Sequence, residues 1–120
     1  LVQLKRDLEE VAATVGRSAE EIIDTLCSLD LRVYLIGFLP GFPYMGDLPD
    51  WLRLPRRATP RTAVPPNSVA IAGPQAAVYP WQSPGGWHLL GRTTVRMFDA
   101  TNAERPALLA PGDTVRFIHA

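Results

Sequence analysis

The sequence is poor in the residues that metal and disulfide chemistry need. Its single cysteine, Cys27, excludes an internal disulfide and fits a reducing compartment. Its two histidines, His88 and His119, lie 31 residues apart with one remote cysteine, which gives no metal-ligand spacing, so no metal site is expected. Long apolar runs are missing as well. The longest, Val33 to Pro43, has eleven residues, is interrupted by Pro40, and is too short to cross a bilayer. Net charge is zero, with twelve basic and twelve acidic residues, which argues against general binding to nucleic acid or to a membrane surface. There is no signal-peptide pattern, and we expect a cytoplasmic protein. The chain begins at Leu1 without a methionine, and we expect it to be part of a longer protein. Catalytic fingerprints fail too. Gly41-Phe42-Pro43-Tyr44-Met45-Gly46 has the glycine spacing of a phosphate loop but continues Asp47-Leu48, where lysine and Ser/Thr are needed. No serine stands in a nucleophile elbow.

What is present describes one globular unit. At 120 residues and 47% apolar, the chain is long enough for one core and too short for two ordinary domains, so residues 1–120 are read as a single domain. Its charge is unevenly placed: residues 1–30 carry three basic and seven acidic residues, and residues 31–120 carry nine and five. Asp7 with Glu10, and Ser18 with Glu21, have the spacing of capping boxes. They predict one helix from about Leu8 to Val15, stopped by Gly16, and a second from about Ala19 to Leu29. On the second, Ile22, Ile23, Leu26 and Cys27 share one face, which makes Cys27 an inert packing residue. Helix, glycine turn and helix have the lengths of a helix-turn-helix. The second helix, however, opens Ser18-Ala19-Glu20-Glu21 and would bring carboxylates against phosphates.

From Val33 onward the pattern becomes β. Val33–Ile36, Val69–Ile71, Ala77–Tyr79, Trp87–Leu90, Val95–Phe98 and Val115–Ile118 read as short strands separated by Pro/Gly/Asn turns. Six such strands after a helical lead predict a mainly β fold, a closed or nearly closed barrel with the helices packed outside or across an end.

The stretch from Leu54 to Arg61, LPRRATPR, puts three arginines and two prolines into eight residues. Proline fixes φ and biases the residue before it toward extended backbone, so these arginines sit on a stiff segment that is neither helix nor central strand. Fixed arginines suggest a fixed anion. In an extended segment Arg57 and Arg61, four apart, face the same side. They predict either a joint grip on a carboxylate or phosphate, or a strap pairing with Asp47, Asp50 or Asp99. Two further loops, Gly37 to Tyr44 and Ser83 to Trp87, combine glycine, proline and aromatic rings in a way that suits a pocket wall.

GFLPGFPYMGDL at 37–48, PRRATPRTAVPPNSVAIAG at 55–73 and YPWQSPGGWHLLGRTTVRMFD at 79–99 resemble, in order, the allophanate hydrolase subunit 1 family. That family includes the 5-oxoprolinase B-subunit and an inhibitor of a sporulation sensor kinase. The resemblance implies a cyclophilin-like β-barrel, preceded in longer relatives by a separate domain. It also implies a site where the three motifs meet. The residues carried over are Pro40, Gly41 and Phe42 as pocket wall, with Arg57, Thr59, Arg61, Gln75, Tyr79, Ser83, Gly85, Gly86, Trp87 and Arg92 binding a substrate or anion. No catalytic residue is assigned.

Leu26 and Leu31 stand where relatives often have histidine and tyrosine, and Ala76-Ala77 where Thr-Gly is common. Asn67 replaces a favoured turn glycine but also tolerates left-handed backbone. Two functions follow from the resemblance. One is a subunit domain, inactive alone, of an ATP-dependent 5-oxoprolinase or of an allophanate hydrolase/urea carboxylase-type complex. It would bind no cofactor itself and would work with a subunit 2-type protein and a lactam-hydrolase subunit. The alternative is an inhibitor that docks on a sensor histidine kinase.

Overall fold

The computed structural model describes residues 2–3 and 5–118, with side chains described from Asp7 onward; His119 lies outside the described residues. Helix α1 spans Lys5–Val15 and α2 spans Ala19–Ser28. Gly16 ends the first with a positive φ of 72°, as its lack of a Cβ allows, and the Ser18 hydroxyl accepts from the Glu21 N–H at 3.1 Å to cap the second. Asp7 is not a cap. The helix starts at Lys5, earlier than a cap at position 7 requires, which places Asp7 inside the first turn and frees its carboxylate for another partner.

Nine strands follow the order β1 (Val2–Gln3), β2 (Leu31–Ile36), β3 (Pro43–Gly46), β4 (Arg61–Val64), β5 (Ser68–Ala72), β6 (Gln75–Val78), β7 (Ser83–Gly85), β8 (His88–Arg92) and β9 (Thr114–Val115). Seven form one antiparallel sheet in the order β1-β8-β5-β6-β3-β2-β9, and β4 pairs with β7 in a separate two-stranded ribbon. The fold is mainly β with an N-terminal helix pair, as predicted. The predicted barrel closure is not found: among the described residues the edge strands β1 and β9 do not pair with each other. Each is only two residues long, too short to zip a seam of ladder hydrogen bonds. Val95–Phe98 is likewise not a strand. Only Phe98 makes an isolated bridge, to Ala107, and the segment is a loop pinned by Leu108 N–H to Met97 O at 2.9 Å and Asp99 N–H to Pro106 O at 2.7 Å.

The sheet is covered on both faces, which explains why β5 is buried at all five positions. Successive side chains on a strand point to opposite faces. Val69 and Ile71 of β5 and Ala76 and Val78 of β6 join Leu8, Val11, Ile22, Ile23 and Leu26 of the helices in the main core. Ala70, Ala72 and Ala77 face the other way and meet Phe42, Val64, Tyr79, Trp87 and Leu89. Small residues on that second face leave room for large rings. The ribbon β4–β7 contributes Val64 to this smaller cluster, and the candidate site lies there.

Candidate functional site

The second cluster is organised around Phe42. Its ring meets Phe38 at 5.3 Å, Tyr44 at 5.0 Å, Tyr79 at 5.1 Å and Trp87 at 5.7 Å between centroids, three of these edge to face. Phe38, with a φ of 67°, is mostly exposed at the rim. These rings, with Arg56, Pro60, Pro84, Gly85 and Gly86, line an open cleft of about 240 Å³. Gly85 is required by close approach. A Cβ there would collide with the Tyr79 hydroxyl and sit 2.9 Å from Cζ. Burial raises the Tyr79 phenol above its ordinary pKa, against the opposing effects of the Trp87 backbone N–H bonded to it and the positive charge of Arg56. Tyr79 therefore stays protonated and neutral, able to donate a hydrogen bond.

The arginine-rich strap forms the far wall, and contacts to Gly73 and to the third motif hold it in place. Gly73 N–H donates to Leu54 O at 2.6 Å, Pro55 O lies 2.9 Å from His88 Nε2, Arg57 N–H donates to Gly86 O at 2.7 Å, and Arg61 pairs with Gly85 across β4 and β7. Side chains then alternate. Arg57 and Arg61 do face the same way, and what they grip is internal: both reach the buried carboxylate of Asp7. Arg57 Nη1 donates to Oδ1 at 3.0 Å, Arg61 Nη1 to Oδ2 at 2.6 Å, Arg61 Nη2 also donates to Oδ1, and Leu89 N–H completes the set at 2.8 Å to Oδ2. Burial alone would push the Asp7 carboxyl up; the bonds from Arg61 and Leu89 and the charges of both arginines outweigh it and hold the carboxyl below its ordinary value. The strap partner is thus Asp7 on α1, with Glu10 at 3.4 Å from Arg57, and not the expected Asp47, Asp50 or Asp99. Arg56, the residue before Arg57, is not among the donors to Asp7. It lines the aromatic cleft and the adjoining groove beside α1, and among the described residues it has no ion pair or hydrogen bond.

The residues expected at the site divide accordingly. Phe42, Tyr79, Gly85, Gly86 and Trp87 line the cleft. Ser83 is buried next to it, its hydroxyl donating to Pro84 O at 3.1 Å. Arg57 and Arg61 are engaged on Asp7, and Thr59 is exposed on the strap. Gln75 starts β6 opposite Ala72 and Gly46, and Arg92 ends β8 exposed beside Ser68 and Val2; neither lines the cleft. Pro40 and Gly41 support the wall from behind. The Pro40 carbonyl accepts from Trp81 Nε1 at 3.2 Å, and Gly41, at φ 81°, packs so closely on Met97 O that a Cβ would come within 2.8 Å. Phe38 and Tyr44 belong to the loop from Gly37 to Tyr44 that reads as a pocket wall, and Arg56 is the lining residue that sequence reasoning missed. The parity that pairs Arg57 with Arg61 is the signal that sets Arg56 apart.

Cys27 is half-buried on α2, and burial raises its thiol above the ordinary value, in keeping with packing. Among the described residues no three His, Cys, Asp or Glu side chains gather as a metal set, and no helix is long and apolar enough to cross a membrane.

The fold agrees with comparisons to known proteins. The pattern described as "Carboxyltransferase domain, subdomain C and D" matches residues 3–109. The chain belongs to this family. It is 50% identical over 112 residues to the 5-oxoprolinase B-subunit of Escherichia coli O157:H7, across 93% of this chain and 51% of that protein. Among solved structures, TTHA0988 superposes with a TM-score of 0.93 at 45% identity, covering 99% of this chain and 24% of that one. The conserved uncharacterized protein PH0987 from Pyrococcus horikoshii gives a TM-score of 0.90 at 38% identity, over 98% of this chain and 55% of that protein. The chain spans about half the length of the curated relatives it matches.

Proposed function

We propose that this chain is the cleft-bearing domain of a protein of the 5-oxoprolinase B-subunit type, one component of a multi-subunit, ATP-using enzyme that opens a small lactam. The observation that carries the reading is the convergence of three separate loop motifs, around Phe42, Arg56 and Gly85-Gly86-Trp87, on one cleft. Loops placed by a rigid sheet are where binding chemistry concentrates. The relatives named as 5-oxoprolinase B-subunits support the class of enzyme. In this reading the domain positions the substrate. A subunit 2-type protein and a lactam-hydrolase subunit supply the nucleotide site and the group that attacks the amide. ATP is a cosubstrate of the assembly and not a ligand of this cleft, whose volume is small and whose wall is mostly aromatic.

Reconstitution tests it. The full-length protein, co-expressed with its partner subunits, is expected to give 5-oxoproline-dependent ATP hydrolysis that disappears when this protein is omitted. Equal turnover without it would refute the proposal.

A further inference from the structure

We infer that the aromatic cleft binds a small, flat carboxylic acid, and that Arg56, rather than Arg57 or Arg61, is the residue that receives its carboxylate. The inference rests on the 5-oxoprolinase reading only for which acid is natural; the site itself rests on the structure. Three arginines lie on one stiff segment, and the fold uses two of them: the carboxylate of Asp7 occupies Arg57 and Arg61 together. Arg56 is exposed and free of ion pairs among the described residues. It is also held in place. Its backbone neighbours are set: Pro55 just before it has a ring-fixed φ, and the N–H of Arg57 just after it is bonded to Gly86 O. A guanidinium fork at the mouth of an uncharged cleft, its backbone fixed, is suited to a planar oxyanion.

The rest of the wall narrows the ligand class. Phe42, Tyr44 and Trp87 present ring faces and edges that favour a flat, weakly polar body. Rings alone would also suit an organic cation, but a fixed positive charge at the rim opposes one, so an acid is selected. A cleft of about 240 Å³ falls below the roughly 300–1,000 Å³ of sites for drug-sized molecules and suits one small ring. The Tyr79 side chain lines the cleft, and its hydroxyl, kept neutral by burial, can donate to a ligand carbonyl. A carboxylate on Arg56, a flat ring against the aromatic wall and a carbonyl facing Tyr79 together describe a ring amide acid.

The test uses the full-length protein and three probes: 5-oxoproline, pyrrole-2-carboxylate as a flat acid that is not a lactam, and 2-pyrrolidinone as the lactam without a carboxylate. Binding is followed by calorimetry or ligand-observed NMR for the wild type and Arg56→Gln. Because Arg56 is exposed and unpaired, the melting temperature is expected to hold. Losing a charge-assisted contact should weaken both acids by about ten- to a hundredfold and leave 2-pyrrolidinone unaffected. Arg56→Lys, which keeps the charge and loses the fork, should recover only part of the affinity. If pyrrole-2-carboxylate binds in an Arg56-dependent way and 5-oxoproline does not, the site inference stands and the 5-oxoprolinase reading falls. If 5-oxoproline binds Arg56→Gln as well as wild type, the inference is overturned while that reading survives. Binding of neither acid also overturns the inference.

Discussion

Replacing Asp7 by asparagine separates an internal strap from a ligand site more sharply than any change in the strap itself. Asp7 is 1% exposed and receives three hydrogen bonds from two guanidinium groups and one from the Leu89 N–H. Asparagine keeps the shape but removes the charge, and its amide nitrogen must turn toward a donor whichever way it flips. Breaking a buried ion pair by removing one partner costs about 3–5 kcal/mol. Here the penalty is smaller, because Arg57 and Arg61 keep 23% and 21% of their side-chain surface in water and Arg57 retains Glu10 at 3.4 Å. We expect a loss of about 2–3 kcal/mol. For a domain of this size, at about 3–6 °C per kcal/mol, that lowers the melting temperature by about 6–18 °C. Urea unfolding should show a lower midpoint with an unchanged slope, since the same surface is exposed on unfolding. An Asp7→Ala, Arg61→Ala double-mutant cycle should return a coupling near the upper end of the usual range of about 0.5–3 kcal/mol. An asparagine variant within about 0.5 kcal/mol of wild type would refute the claim that this cluster fixes α1 to the sheet.

The same carboxylate predicts a pH dependence. Its pKa in the fold lies below the ordinary 3.8, so its stabilising contribution is present above that value and is lost as pH falls through the depressed one; acid unfolding followed by circular dichroism should be steeper below pH 3.8 in wild type than in Asp7→Asn. Gly85→Ala should force Tyr79 out of place and cost about 1–3 kcal/mol in a denaturant melt, together with a clear loss of ligand binding at the cleft; an unperturbed variant would mean that the ribbon gives way easily. Arg92→Ala, at an exposed site outside the cleft, should leave 5-oxoproline affinity within about twofold and stability within about 0.5 kcal/mol, and a large loss of affinity would bring that arginine back into the site.

Much of this architecture was legible where local chemistry decides it. Ser18 and Gly16 set the ends of the two helices because a hydroxyl cap and a left-handed glycine act within a single turn, and Asn67 adopts the positive φ that its turn needs. Short apolar runs such as Val69–Ile71, bounded by turn residues, identified central strands. The failures lie where distant segments decide. Pro43–Gly46 and Ser83–Gly85 fall in segments that read as loops and Arg61–Val64 does not read as a strand, since proline and glycine dominate them or flank them, yet each is a strand because a neighbour supplies the ladder. Asp7 had the spacing of a cap but is drawn to two arginines fifty and fifty-four residues away, a contact that no local pattern records.

That long-range contact also accounts for part of the charge asymmetry of the sequence. An acidic N-terminal stretch and a basic remainder would suggest a partner of opposite sign, but part of the complement is intramolecular: Asp7 takes Arg57 and Arg61, and Asp30 takes Arg116 at 2.7 Å. The resemblance of the strap to its family singled out Arg57 and Arg61, and the fold puts both to structural use. Arg57 is held on the Asp7 carboxylate, and Arg56 lies where the aromatic cleft meets the groove beside α1. The proline-arginine run then has two outcomes from one geometry: a pair that anchors α1, and a single guanidinium left at the mouth of an aromatic cleft, where its charge has no internal partner among the described residues.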